Sequence, residues 1–188
     1  MFLITSLDFT SALAAPKEPA PKLETATFAT GCFWGTEEFF RKIPGVVESR
    51  VGFSGGTTPN PKYDDTHDGH TRHAESVEIK FDPNKVSYER LLDQFFKMHG
   101  PTTKDRQGND TGNQYRSAIF CHCEKKKQEA LKFKKKVEDS GAWKSKITTE
   151  ISEAKSFWSA EKYHQKYLVK NPGGYDKHYL RKLSFDKH

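Results

Sequence analysis

The order of apolar patterns is the feature of the sequence that most constrains its fold. Short β-branched or alternating segments predict strands at residues 25–30, 46–53, 73–81 and 115–121. Apolar residues at helical spacing predict helices over 33–43 and 87–99, and Pro44-Gly45 stops the first. The resulting order, β-α-β-β-α-β, matches the split βαβ pattern. It predicts an α+β fold, a two-layer sandwich with a mixed sheet and a ferredoxin-like core.

The remainder of the chain adds elements and loops to this core. A Lys-rich helix over 124–141, a strand over 147–151 and an amphipathic helix over 160–168 predict C-terminal αβα additions. Two long polar loops, 55–71 and 100–114, lack a regular pattern, and long exposed loops often carry function. We expect these loops and the first strand-to-helix turn to meet at one site.

Composition and the N-terminal residues set the limits of the domain. The chain has 188 residues, 34% apolar and 30% charged, and no apolar run long enough to cross a bilayer. Residues 1–22 are expected to be a disordered tail, and 23–188 a single domain. Residues 1–15 end in Ala-x-Ala like a signal peptide but lack a basic start. Cytoplasmic and exported or periplasmic locations therefore both stay open.

Cys32 lies at the turn between the first strand and first helix, within Gly31-Cys32-Phe33-Trp34-Gly35. Free backbone N–H groups and the positive end of the helix dipole stabilise an anion there. We expect the Cys32 thiol to lose its proton more easily than usual, and the thiolate is the nucleophilic form. A buried structural cysteine is an equally good interpretation of this stretch alone.

Carboxyl and hydroxyl groups lie at the predicted strand ends and in the long loops. Glu75 and Tyr115 lie at the starts of strands, whereas Tyr63 and Asp110 lie in the loops. A carboxyl beside an aromatic pocket has a raised pKa and can act as a general acid near neutral pH. Tyrosine hydroxyls bind an oxygen without adding charge. Together with a thiolate, these groups suit attack on a polarised, oxygen-bearing centre. Considered without the other groups, a glutamate at the position of Glu75 is more often an exposed residue of a surface strand.

The motifs around these residues resemble those of A-type peptide-methionine sulfoxide reductases. The similarity covers residues 27–175, and its motifs occur in the family's order. The matching segments are 31–35, 55–56, 60–63, 73–75, 107–110, 114–117, 164–168 and 171–172.

The resemblance implies thiol-dependent reduction of methionine (S)-sulfoxide, free or in proteins, which repairs oxidised protein. It implies that Cys32 attacks the sulfoxide sulfur and becomes a sulfenic acid, the first rung of thiol oxidation. It implies that Glu75 protonates the sulfoxide oxygen, while Tyr63 and Tyr115 hydrogen-bond it.

The resemblance also implies the substrate contacts and the reductant. Phe33 and Trp34 would form the pocket for the S-methyl group, and Asp110 would orient the substrate's main chain. No metal and no bound organic cofactor are implied. An external thiol would regenerate the enzyme: thioredoxin, glutaredoxin with glutathione, or a small thiol such as dithiothreitol. The expected protein is a monomer without a membrane span or a nucleic-acid partner.

The sequence departs from the family pattern in its thiols and at Arg72. Many family members have resolving cysteines in a Gly-rich C-terminal tail, whereas residues 175–182 contain none. Cys121 lies six strand residues beyond Tyr115, roughly 20 Å away at ~3.3 Å per residue, and a disulfide needs Cα atoms within about 7 Å. We therefore expect a one-cysteine enzyme in which neither Cys121 nor Cys123 resolves the sulfenic acid. Arg72 replaces a smaller residue and is expected to alter the charge at the mouth of the cleft.

Three other functions are weaker interpretations. A cysteine peptidase would pair Cys32 with His164 and Asn171, but the papain-type signature is absent. The Lys-rich segments 125–127 and 134–136 are better explained as the solvated face of a helix than as a nucleic-acid site. A metal site would use His67, His70 and His73, or Cys121-His122-Cys123, as ligands. These residues lack the paired Cys-x-x-Cys motifs that make a metal site specific.

Overall fold

The computed structural model describes residues 22–186. The tail expected over residues 1–22, including the segment that resembles an export signal, lies outside the described residues except for Lys22. Residues 187 and 188 also lie outside them.

The described residues form a mixed α+β fold. The strands are β1 (Glu24–Thr30), β2 (Val46–Ser54), β3 (Ala74–Phe81), β4 (Arg106–Gln107), β5 (Asp110–Thr111), β6 (Ser117–Cys121), β7 (Glu150–Glu153) and β8 (Phe157–Ser159). The helices are α1 (Phe33–Phe40), α2 (Tyr88–Met98), α3 (Glu124–Ser140) and α4 (Tyr167–Lys170). None of the helices in this part of the chain has the length and apolar character needed to cross a membrane.

The main sheet has the strand order β7-β6-β1-β3-β2-β8. Its pairs are antiparallel apart from the parallel pair β6–β7. The four central strands, β6-β1-β3-β2, are connected through α1 and α2 as the split βαβ pattern requires. The predicted α+β class and ferredoxin-like core are therefore confirmed.

The C-terminal additions differ from the predicted αβα series, because β8 joins the sheet and the last helix is short. Of the predicted helix over 160–168, only Tyr167 and Leu168 are helical, as the start of α4, and turns occupy residues 162–166 before them. The Gln165 amide accepts a hydrogen bond from the Val51 N–H at 2.8 Å and donates one to the Val51 carbonyl at 2.8 Å. This segment therefore binds to the β2 backbone, and a left-handed Lys166 (φ +51°) interrupts the helical path.

The core lies between the sheet and its helices and is rich in phenylalanine. Phe28 of β1 stacks on Phe40 of α1, with ring centroids 4.8 Å apart, and lies 5.5 Å from Phe95 of α2. All three side chains are fully buried. Because burying one such side chain contributes roughly 1.5–3 kcal/mol, these contacts fix both helices on the sheet. The start of α1 is thereby held at the end of β1.

Arg72 precedes β3 in a left-handed conformation, with φ +55°. We expect Arg72→Gly to raise the free energy of unfolding by about 0.5–1 kcal/mol, because an L-residue there costs roughly 1–2 kcal/mol and the chain entropy of glycine cancels part of the gain. Urea denaturation measures this difference. Arg72→Ala keeps the Cβ atom and should give no such gain, so equal stability of the two variants would contradict the prediction.

Candidate active site

The first site residue, Cys32, lies at the junction of β1 and α1. It is the N-cap residue of α1 and is partly exposed. Gly31 before it has φ +98°, and a Cβ atom there would lie 2.7 Å from Gln107 Cβ, so only glycine allows this turn. The Cys32 side chain makes no capping hydrogen bond, but the nearby backbone N–H groups of Trp34 and Gly35 favour the thiolate. The turn thus places Sγ at the helix N-terminus, as the sequence predicts.

The expectation that this thiol loses its proton easily is wrong for the unliganded protein. Burial has the largest effect and raises the pKa of Cys32 well above its usual range, and the charge of Glu75 raises it further. The N–H groups of Trp34 and Gly35 lower this pKa, but by less. The helix terminus therefore only partly offsets the burial of the sulfur.

Glu75 lies on the helix-facing side of β3, directly opposite Phe53 of β2. It shares this side with the apolar residues at alternate positions, and only 1% of its surface is exposed. Its Oε2 accepts a hydrogen bond from the Phe33 N–H at 3.0 Å, whereas Oε1 has no hydrogen-bond partner among residues 22–186. Burial raises the pKa of Glu75 to about 8, so the carboxyl is largely protonated at neutral pH.

Two tyrosines from the long loops complete the polar part of the site. Tyr63 precedes the 3-10 turn Asp64–Thr66, and Tyr115 ends the 3-10 turn Asn113–Tyr115 rather than starting β6. Both interact electrostatically with Glu75 and Cys32. Burial is the main reason that the pKa of each hydroxyl is raised, so both stay neutral hydrogen-bond donors. The two loops therefore meet at one site, as expected.

An aromatic wall borders the sulfur on its other side. Phe33 is fully buried, with its ring centroid 6.0 Å from that of Tyr63, and so it supports the wall from behind. Trp34 is half-buried and stacks on Tyr167, with ring centroids 3.9 Å apart. The Trp34 indole N–H donates to His164 Nδ1 at 2.9 Å. Trp34 therefore presents a fixed apolar surface beside Cys32.

Asp110 lies at the start of β5 and also faces the site, since its charge raises the pKa values of Cys32 and Glu75. It accepts a hydrogen bond from the Tyr175 hydroxyl at 2.8 Å. Sequence reasoning gave no role to Tyr175 or Tyr167, and it gave His164 one only as the partner of Cys32 in the cysteine-peptidase alternative. The motif at 164–168, which contains His164 and Tyr167, was the signal that could have pointed to their place at the site.

The geometry weighs against the alternative functions. The Nδ1 atom of His164 accepts a hydrogen bond from the Trp34 indole N–H at 2.9 Å, so this atom is not free to act as a base for Cys32. His73 lies between backbone groups, with Nδ1 accepting from the Gly56 N–H at 3.1 Å and Nε2 2.8 Å from the Thr58 carbonyl. Within residues 22–186, no group of three or more His, Cys, Asp and Glu side chains is placed to hold a metal ion.

The other two thiols lie at the opposite end of the sheet from Cys32. Thr30, two residues before Cys32, pairs with Ser117 at the start of β6, whereas Cys121 ends that strand. The four residue steps from Ser117 to Cys121 span about 13 Å along β6, which exceeds the Cα separation of about 7 Å that a disulfide allows. Cys121 is buried, and Cys123 is exposed at the start of α3.

Comparisons with known proteins point to one family. The family model described as peptide methionine sulfoxide reductase matches residues 24–187. A Methanoculleus marisnigri protein named peptide methionine sulfoxide reductase MsrA is 51% identical over 156 residues, 83% of this chain and 95% of the relative. The reduced form of Mxr1 from Saccharomyces cerevisiae superimposes with a TM-score of 0.80 at 39% identity, covering 88% of this chain and 96% of that one. The structure of Mxr1 from Saccharomyces cerevisiae in complex with Trx2 superimposes with a TM-score of 0.58 at 29% identity, covering 89% of this chain and 96% of that one.

Proposed function

The chain belongs to the peptide methionine sulfoxide reductase family, and we propose that it reduces the S-epimer of methionine sulfoxide with Cys32 as the nucleophile. It is an oxidoreductase that returns methionine sulfoxide to methionine and so repairs oxidised protein. We assign this activity to a single catalytic domain over residues 23–188. The observation that carries the assignment of roles is the buried Glu75 carboxyl beside Cys32, whose Oε1 has no hydrogen-bond partner among residues 22–186.

The reaction begins with the sulfoxide oxygen held by three proton donors. Tyr63 and Tyr115 hydrogen-bond the oxygen, and Glu75 gives it a proton through Oε1. The S–O bond becomes more polarised, so Cys32 Sγ attacks the sulfoxide sulfur, and the thiol proton passes to Glu75. The raised pKa of both groups suits this exchange, because each holds its proton until the substrate arrives.

The second half of the reaction releases methionine. The S–O bond breaks as Glu75 gives the oxygen a second proton, and the oxygen leaves as water. A water molecule then attacks Sγ and returns a proton to Glu75. The Sγ–S bond breaks at the same time, and its electron pair stays with the substrate sulfur, which becomes a thioether, while Cys32 ends as sulfenic acid. In sum, the equivalent of one oxygen atom passes from sulfoxide to Sγ, and Sγ loses the two electrons that the substrate gains.

Three fixed positions around Sγ support selection of one epimer. The oxygen lies at Glu75 and the two tyrosines, the S-methyl group lies on Trp34 with Phe33 behind it, and the substrate's main chain lies near Asp110. A sulfoxide sulfur carries an oxygen, a methyl group, a carbon chain and a lone pair. When the oxygen, the methyl group and the carbon chain each occupy their own site, only one epimer presents its sulfur to Cys32.

An external thiol then reduces the sulfenic acid, since Cys121 and Cys123 lie far from Cys32. We propose a thioredoxin-like protein as this reductant, with glutaredoxin and glutathione or a small thiol as other donors. The similarity to Mxr1, which has a structure in complex with Trx2, supports this choice. No bound cofactor enters any step of the proposed cycle.

The epimer preference is tested with the two resolved epimers of L-methionine sulfoxide and dithiothreitol as reductant. The S-epimer should be converted to methionine at least about 100-fold faster than the R-epimer, because the site rejects a substrate that leaves its buried polar groups unpaired. Chromatography of released methionine measures both rates. Equal rates for both epimers would contradict the proposal.

A further inference from the structure

The C-terminal segment of residues 175–181, here called the strap, returns to the turn that carries Cys32. At one end, the Tyr175 hydroxyl donates to Asp110 at the edge of the site. At the other end, the Arg181 N–H donates to the Lys97 carbonyl near the end of α2 at 3.1 Å. The strap therefore spans from the site to the second helix.

His178 is the strap residue that enters the protein, with only 3% of its side chain exposed. Its Nε2 atom donates to the Thr30 carbonyl at 2.9 Å and lies 3.2 Å from the Thr30 hydroxyl. Asp176 Oδ1 accepts from the His178 backbone N–H at 2.8 Å and lies 3.2 Å from His178 Nδ1. Asp176 therefore orients the ring that holds the last residue of β1.

The contact network of His178 continues to Cys32 itself. The Thr36 hydroxyl lies 3.5 Å from His178 Nε2 and 2.7 Å from the Thr30 hydroxyl. It donates to the Cys32 carbonyl at 3.0 Å. Thr30 and Thr36 flank Cys32 in the chain, so the ring of His178 is connected to the turn from both sides.

The first turn of α1 leaves space for the strap. A Cβ atom at Gly35 would overlap both Asp176 and His178. Gly35 is a helix residue without a positive φ, so its lack of a side chain is explained by this close approach. The helix and the strap therefore fit each other at Gly35, a first-turn residue whose N–H group lowers the pKa of Cys32.

We propose that Asp176 and His178 are positioning residues, which hold the Cys32 turn so that Sγ stays at the N-terminus of α1, near the N–H groups of Trp34 and Gly35. The inference rests on the proposed function, in which Cys32 is the nucleophile. Without the ring of His178, the Thr30 carbonyl and Thr36 hydroxyl lose their shared partner and the turn relaxes. The N–H groups then stabilise the thiolate less, so it forms less readily.

Alkylation of Cys32 by iodoacetamide, followed over a pH series and quantified on the Cys32 peptide by mass spectrometry, tests this role. His178→Ala should slow alkylation about tenfold near neutral pH, the effect of raising a thiol pKa by about one unit. Asp176→Asn should slow it less. His178→Gln, whose amide can donate to the Thr30 carbonyl, should recover part of the rate. Lys177→Ala, an exposed change within the strap, should match wild type.

Within residues 22–186, the charged or titratable groups that interact with the Cys32 thiol are Glu75, Asp110, Tyr63, Tyr115 and Tyr175. None of the variants removes one of these groups, so an altered pH profile reports the geometry of the turn. In steady-state assays, His178→Ala should lower kcat while KM changes less than about twofold.

Wild-type alkylation in His178→Ala would overturn the proposal, as would a rise in KM alone. His178→Gln alkylating as slowly as His178→Ala would also overturn it. If His178→Ala fails to fold by circular dichroism, Asp176→Asn carries the test. The alkylation assay needs no sulfoxide, so the positioning role can fail while the reductase function stands, and the reverse also holds.

Discussion

Replacing Glu75 by Gln is expected to lower the rate of methionine formation by about 10²–10⁴-fold, the usual contribution of a general acid. The substitution is nearly isosteric and keeps an oxygen that can accept from the Phe33 N–H, the hydrogen bond that Glu75 Oε2 accepts. The amide cannot give a proton to the sulfoxide oxygen. Single-turnover release of methionine measures the rate, and Glu78→Gln, on the same strand, is the matched control.

The pH dependence of the same step follows from the pKa of Glu75. A general acid must be protonated, and burial raises the pKa of Glu75 to about 8. The rate of the chemical step should therefore fall as pH rises through about 8, and this fall should be absent from the residual rate of Glu75→Gln. A wild-type rate that rises through this range would contradict the role of Glu75 as acid.

Glu75→Gln should also be more stable than wild type at alkaline pH. The pKa of Glu75 is raised in the folded protein from 4.5 to about 8, so the folded state holds a proton that the unfolded state loses first. Wild-type stability therefore declines as pH rises between these values, and the variant lacks this contribution. Urea denaturation near neutral pH and again above pH 8 should show the advantage of the variant growing to a few kcal/mol.

The second large effect is expected at the nucleophile. Cys32→Ser should lose at least about 10⁴-fold in methionine formation, because a serine hydroxyl is a far weaker nucleophile than a thiol and does not form a sulfenic acid. A variant with both Cys121→Ala and Cys123→Ser should keep the wild-type rate with dithiothreitol. A large loss in that double variant would contradict the claim that Cys32 alone carries the chemistry.

The central strands were predictable because their patterns are local. Alternation along β3 places Val77, Ile79 and Phe81 on one side, and Glu75 shares their parity, so the sequence already indicated an inward carboxyl. The prediction that Glu75 taken alone is more often a surface residue overlooked that parity. The raised pKa expected for a carboxyl in an apolar site is confirmed, because it follows directly from burial.

The C-terminal part could not be predicted from local pattern, because distant residues fix it. Gln165 binds the backbone of Val51, 114 residues earlier, and His178 binds Thr30, 148 residues earlier. The Cys32 pKa was mispredicted for the same reason. Its helix position is visible in the sequence, whereas burial and the nearby Glu75 charge arise only from tertiary structure.

The most direct test of the account is an anaerobic single turnover with excess L-methionine-(S)-sulfoxide and no added reductant. For the wild type, we expect about one methionine released and one thiol lost per chain, with a sulfenic acid that can be trapped on Cys32. Cys32→Ser should release none. One methionine with two thiols lost would mean that Cys121 or Cys123 resolves the sulfenic acid, contradicting the one-cysteine mechanism. Release of no methionine by the wild type would contradict the proposed chemistry of the site.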